Sequence, residues 1–210
     1  MKYLSHRLSA AMWARVLLLW LMLSVGAVVV GGIALWLGNF MHSNVRAELE
    51  SQQITFTAAD RLSDAERAIP GVVENAGLPL TTGNQAQVYA NIIGLHMQTS
   101  AETAGYPGEV YASLGGIQRE LRAALAEATE SGDEAAIEEA KAKLDAVNNL
   151  RNTMLTGNNL RGNLFSAYGW DNVATGITTA GIAVIVLGLA FFGLFLYERS
   201  RGHLPPTDAR

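Results

Sequence analysis

Two stretches of the chain, residues 16–37 and residues 173–197, contain no charged side chain. As helices these runs of 22 and 25 residues extend about 33 and 37 Å, enough to cross a hydrocarbon core of roughly 30 Å with some tilt. Each therefore predicts a transmembrane helix rather than the core helix of a soluble domain. The first far exceeds the roughly 7–15 apolar residues of a signal-peptide core. Leu37-Gly38-Asn39-Phe40-Met41, which follows it, is a poor small-residue cleavage site, so this run reads as a retained anchor. Trp13 and Trp36 bracket the first run, and Trp170 and Tyr197 the second. Amphipathic rings favour these positions at the membrane interface.

Between the runs the pattern becomes helical. Residues 44–53 extend the first helix a short way, and Ile54-Thr55-Phe56-Thr57 alternates like a short extended piece. Pro70-Gly71 and Gly77-Leu78-Pro79 punctuate a loop. A helix then starts at Thr81-Thr82-Gly83, where threonine is a good N-cap, with Ala86, Tyr89, Ile93 and Met97 on its apolar face. Ala104-Gly105-Tyr106-Pro107-Gly108 ends it. Another helix covers about residues 109–129, with Ile117, Leu121, Ala124 and Ala128 on one side and a soft spot at Gly115-Gly116.

Ser131 and Glu134 have the spacing of a capping box for the next helix. That helix carries Ile137, Ala140, Leu144, Val147 and Met154, interrupted by Arg151. Two helices joined by a short glycine-containing turn predict an antiparallel α-hairpin. The charged run 138–143 reads as a solvated face, or functionally as a docking stripe. Gly157 is expected to close the helix, leaving residues 158–170 as a short interfacial helix or hinge.

Composition fixes the orientation. Lys2, Arg7 and Arg15 precede the first run, and Arg199, Arg201 and Arg210 follow the second. Residues 38–172 hold 9 Lys and Arg against 17 Asp and Glu, a net of −8. Basic flanks stay cytoplasmic, so both termini are expected inside and the acidic segment outside. The absence of cysteine excludes disulfides, thiolate metal sites and cysteine nucleophiles. The acidic balance disfavours nucleic acid and anionic headgroups as partners of the outer segment.

Catalytic motifs are missing from the sequence. His6, His42, His96 and His203 are scattered without ligand spacing, and His96 reads as a packed or solvated helix residue rather than a ligand. The glycine spacing of Gly157 and Gly162 lacks the Lys-Ser/Thr of a phosphate loop. Neither run carries an ionisable group, so a transporter acting alone is not expected. Ser24, Ala27, Gly31, Ala34 and Gly38 do recur at spacings of 3, 4, 3 and 4, which places all five on one helix face. Small residues let helix backbones approach closely in lipid. This helix-packing interface, made with the second span or with another protein, is the candidate site.

Two blocks carry a resemblance. One runs Thr81-Thr82-Gly83-Asn84-Gln85-Ala86-Gln87-Val88-Tyr89-Ala90-Asn91, with Leu95-His96-Met97, Gly105-Tyr106 and Val110-Tyr111 after it. The other spans residues 154–170, MLTGNNLRGNLFSAYGW. Together they resemble a family of actinobacterial two-span membrane proteins, one member of which is an accessory subunit of the cytochrome bc1–aa3 respiratory supercomplex. The resemblance implies a non-catalytic subunit that binds no cofactor itself and contacts cytochrome bc1 and aa3 oxidase subunits, whose haem and copper belong to the partners. The polar helical insert at residues 129–143 lies outside both blocks. No active-site residue is carried over.

The expected architecture is an all-α membrane protein. Residues 1–15 form a cytoplasmic tail and 16–37 the first transmembrane helix. Residues 38–172 form an extracytoplasmic helical domain, 173–197 the second transmembrane helix and 198–210 a second cytoplasmic tail. Membrane lipids are expected partners, and the plasma membrane the expected location. The competing expectation is a two-span sensor or signalling module. With 15 residues before the first run and 13 after the second, it would need a separate cytoplasmic output partner.

Overall fold

A computed structural model describes residues 10–201. Lys2, His6, Arg7, His203 and Arg210 lie outside the described residues. The helices are α1 (Ala10–Ser51), α2 (Asp64–Arg67), α3 (Val72–Asn75), α4 (Gly83–Thr103), α5 (Tyr111–Ser131) and α6 (Glu134–Arg201), with a 3-10 turn at Ala59–Arg61. Among the described residues there is no strand. One isolated bridge joins Thr55 to Pro79, where the Phe56 and Leu80 amides donate to the Leu78 and Ile54 carbonyls at 3.0 and 2.9 Å.

The chain divides into two units, one ending at Asn44 and resuming at Asn172, the other spanning Val45–Asp171. In the first unit, α1 and the C-terminal part of α6 run antiparallel. Gly38 opposes Ala174 and Thr178, Gly31 opposes Gly181 and Ile185, and Gly188 opposes Ser24, Ala27 and Val28. Trp20 and Phe191 meet at 5.6 Å. The remaining faces are apolar and bare, with Leu18, Val25, Val29, Ile33, Ile182, Val186 and Leu189 all exposed. Both helices are long and apolar enough to cross a membrane. Only 11% of the most apolar window of either one is buried within the chain, so an internal protein core does not account for this apolarity.

The second unit has a conventional core. Leu49 of α1, Phe56, Leu62 and Leu80 of the connecting segment, Val72 of α3, Ile93 and Met97 of α4, Leu114 of α5, and Leu150, Met154 and Leu164 of α6 form one buried cluster. Phe56 meets Tyr89 edge-to-face at 5.3 Å, a favoured aromatic geometry. Thr82 and Gln85 form a reciprocal capping box at the start of α4, satisfying amides that the first helical turn leaves without partners. Across the turn at Gly132, which adopts a left-handed φ of 72°, α5 meets the early part of α6. Gln118 donates to Asn148 and accepts from Arg151. Arg151 also lies over the Tyr111 ring at 4.6 Å.

Two local expectations fail. Ser131 is the last residue of α5 and hydrogen-bonds to the Ala128 carbonyl. The cap of α6 is Asp133, whose Oδ1 accepts from the amides of Ala135 and Ala136 at 3.0 and 3.2 Å. Both residues are good caps by type, and the turn at Gly132 decides between them. Nor does Gly157 end a helix. The helix α6 continues through it, and residues 158–170 form neither a hinge nor a separate helix. Gly157 serves a close approach instead: a Cβ there would stand 2.5 Å from Met97 Sδ. The cost of an interior glycine, about 1 kcal/mol relative to alanine, is offset by packing between α4 and α6.

Candidate functional site

The five small residues of α1 all face α6. Ser24, Gly31 and Gly38 are buried, and Ala27 and Ala34 half-buried. A Cβ on Gly31 would come to 2.5 Å from Ile185 Cγ1 and 2.7 Å from the Gly181 carbonyl oxygen. A Cβ on Gly181 would lie 3.0 Å from both Ala34 Cβ and the Gly31 carbonyl oxygen, and one on Gly188 3.1 Å from Ala27 Cβ and the Ser24 carbonyl oxygen. Backbone meets backbone at three levels, and close packing of this kind holds helices together in lipid. Thr178 Oγ1 is buried without a conventional partner and occupies the place a Gly38 Cβ would take.

A second contact joins α4 to α6 within Val45–Asp171. The helices run antiparallel, with Gly83 against Asp171, Gly94 against the Arg161 guanidinium, and Met97 against Gly157. Arg161 Nε donates to the Ala90 carbonyl at 3.1 Å, a charge-assisted bond across the interface. Beside this contact lies an open groove of about 450 Å³, lined by Ile93, His96, Met97, Ser100, Asn152, Thr153, Thr156 and Gly157.

His96 is neither isolated nor merely solvated. Its Nε2 lies 3.0 Å from Glu66 Oε1, with the histidine side chain 59% and the glutamate side chain 11% exposed. Glu66 is also the return arm of a capping box, accepting from the Ser63 amide at 2.8 Å and the Ser63 hydroxyl at 2.7 Å. These Ser63 bonds, first the amide and then the hydroxyl, hold the carboxyl below its usual range, and His96 adds to them against the opposing effect of burial. Glu66 stands outside the motifs singled out in the sequence. The Ser63-x-x-Glu66 spacing was the available signal.

A group whose native pKa is depressed adds stability above its unfolded value, about 4.3 for glutamate. That stability is lost as pH falls through the depressed native value. Glu66→Gln is therefore expected to destabilise the second unit by about 1 kcal/mol at neutral pH and to flatten the acid limb of its stability. Urea unfolding of the full chain in detergent, repeated from neutral pH down to the acid limb, measures this. An unchanged acid limb would show that the Glu66 carboxylate adds nothing to stability.

Among the described residues no three His, Asp or Glu side chains are grouped to hold a metal ion. Comparison with protein-family models, with curated proteins and with solved structures finds no match for this chain. The fold and its contacts define the class: an all-helical protein with two helices long and apolar enough to cross a membrane.

Proposed function

We propose that the chain is a non-catalytic accessory subunit of a cytochrome bc1–aa3 respiratory supercomplex, acting by protein contact in assembly or stabilisation. In this reading α1 and α6 span the plasma membrane with both termini cytoplasmic. Residues 45–171 form an extracytoplasmic helical domain in which α5 and early α6 make an antiparallel α-hairpin. Contacts from Gln118 to Asn148 and from Tyr111 to Arg151, on either side of the Gly132 turn, support the hairpin.

The observation that carries the reading is the meeting of the two sequence blocks that resemble the supercomplex-associated family. Residues 83–97 and 157–171 are the two sides of one continuous helix contact, made through Gly83, Ala90, Gly94 and Met97. Packing of the resembling residues against one another supports a role exercised through contact. The net −8 of residues 38–172 adds a surface suited to holding or steering a positively charged carrier domain. That attraction weakens with salt, since the screening length is about 10 Å at 0.1 M.

Purification of the tagged chain from mild-detergent membranes is expected to recover haem-bearing bc1 and aa3 subunits. Deleting its gene is expected to leave their spectra normal while supercomplex yield or oxygen consumption falls modestly. Absence of the chain from purified supercomplex would sink the assignment, a lost haem would mean a catalytic role, and recovery of kinases would favour the signalling reading. Orientation is checked on whole cells with an impermeant thiol reagent. Ser100→Cys and Ser131→Cys are expected to label, while Ser5→Cys and Thr207→Cys stay protected; the opposite pattern reverses the topology.

A further inference from the structure

The register between α1 and α6 extends beyond the small-residue contact. Gly38 opposes Ala174, Gly31 opposes Gly181, Ser24 opposes Gly188, and Trp20 meets Phe191. Continued along both helices, this pairing brings Arg15 level with Tyr197, and Arg199 and Arg201 within about one turn beyond them. All three arginines are exposed, and the Arg201 guanidinium lies over the Tyr197 ring at 5.5 Å. Glu198, half-buried, is the one carboxylate among the described residues at this end. The opposite end of the pair, residues 36–44 and 172–176, contains no Lys, Arg, Asp or Glu.

Depth matters as much as charge. Exposed Trp36, stacked on Phe40 at 5.8 Å, marks one level, and Arg15 with Tyr197 marks the other. The 22 residues from Arg15 to Trp36 span a rise of about 32 Å, close to a hydrocarbon thickness of roughly 30 Å. The arginines therefore stand where a bilayer places its phosphodiesters.

We propose that Arg15, Arg199 and Arg201, with Tyr197, form a binding surface for anionic phospholipid headgroups, a proposal that rests on the membrane-spanning reading. Phosphodiester oxygens accept hydrogen bonds from the guanidinium groups, and the tyrosine ring anchors the surface at the interface. Orientation alone requires only that basic residues flank the spans. Here the fold gathers arginines from distant parts of the sequence at one end of a narrow helix pair, and guanidinium suits phosphate better than ammonium does.

The test uses the full chain reconstituted in phosphatidylcholine bilayers containing a minority of phosphatidylglycerol. Electron spin resonance of spin-labelled lipids reports the relative association of each with the protein. With about fivefold available per basic residue at the surface, the preference for phosphatidylglycerol is expected to fall severalfold in the triple variant Arg15→Gln, Arg199→Gln, Arg201→Gln. It is expected to stay unchanged in Arg119→Gln, Arg122→Gln, Lys141→Gln, which removes the same charge from the second unit. An undiminished preference in the first variant, or an equal fall in both, overturns the proposal while leaving the membrane reading intact. Release of the wild-type chain from the bilayer by alkaline carbonate overturns both.

Discussion

Leucine in place of Gly31 is expected to weaken the α1–α6 contact by about 2–3 kcal/mol while leaving membrane insertion intact. The β-carbon alone would come to 2.7 Å from the Gly181 carbonyl oxygen and 2.5 Å from Ile185 Cγ1. A backbone oxygen cannot rotate away as a side chain can, so the helices must separate. Insertion is spared because leucine is at least as apolar as glycine. The chain has no cysteine, so a Trp20→Cys, Phe191→Cys pair, which adds no Cβ to the contact and replaces rings that meet at 5.6 Å, reports it. Oxidative cross-linking of that pair is expected to fall severalfold when Gly31→Leu is added. Undiminished cross-linking would show that the close approach at Gly31 contributes little.

In the second unit, Leu114→Ala is expected to cost about 3–4 kcal/mol, the usual range for a cavity left by a fully buried leucine. Leu114 is 0% exposed within a core that also holds Leu150 and Met154. Leu114→Met, which nearly preserves volume, is expected to cost less than about 1.5 kcal/mol. Urea denaturation of the full chain in detergent, followed by circular dichroism, separates the two variants. Equal costs would mean that the site collapses around the smaller side chain or that Leu114 does not anchor the core.

The sequence went wrong where one residue type admits two physical roles. Glycine after a helical stretch is a frequent stop signal, yet Gly157 sits inside a 68-residue helix because Met97 needs its bare face. Arg151 looked like a break in an apolar pattern. Its guanidinium instead finds Tyr111 and Gln118 of α5, a neighbourhood that spacing within one helix does not disclose. The partnership of His96 with Glu66 spans 30 positions and joins α2 to α4, so no local pattern announces it.

What the sequence determined by itself was the part governed by short-range physics. Charge-free runs long enough to cross a bilayer, the Thr82 cap, the approximate limits of α4 and α5, and the face shared by Ser24, Ala27, Gly31, Ala34 and Gly38 all follow from period, length and local hydrogen bonding. The tertiary structure decided what those faces meet. It set the glycines of α1 against Gly181 and Gly188, made α6 one helix through Gly157, and brought Glu66 beneath His96. These outcomes depend on distances between residues far apart in the chain. Close packing fixes such distances, because a contact a few tenths of an ångström too tight excludes one arrangement and leaves another.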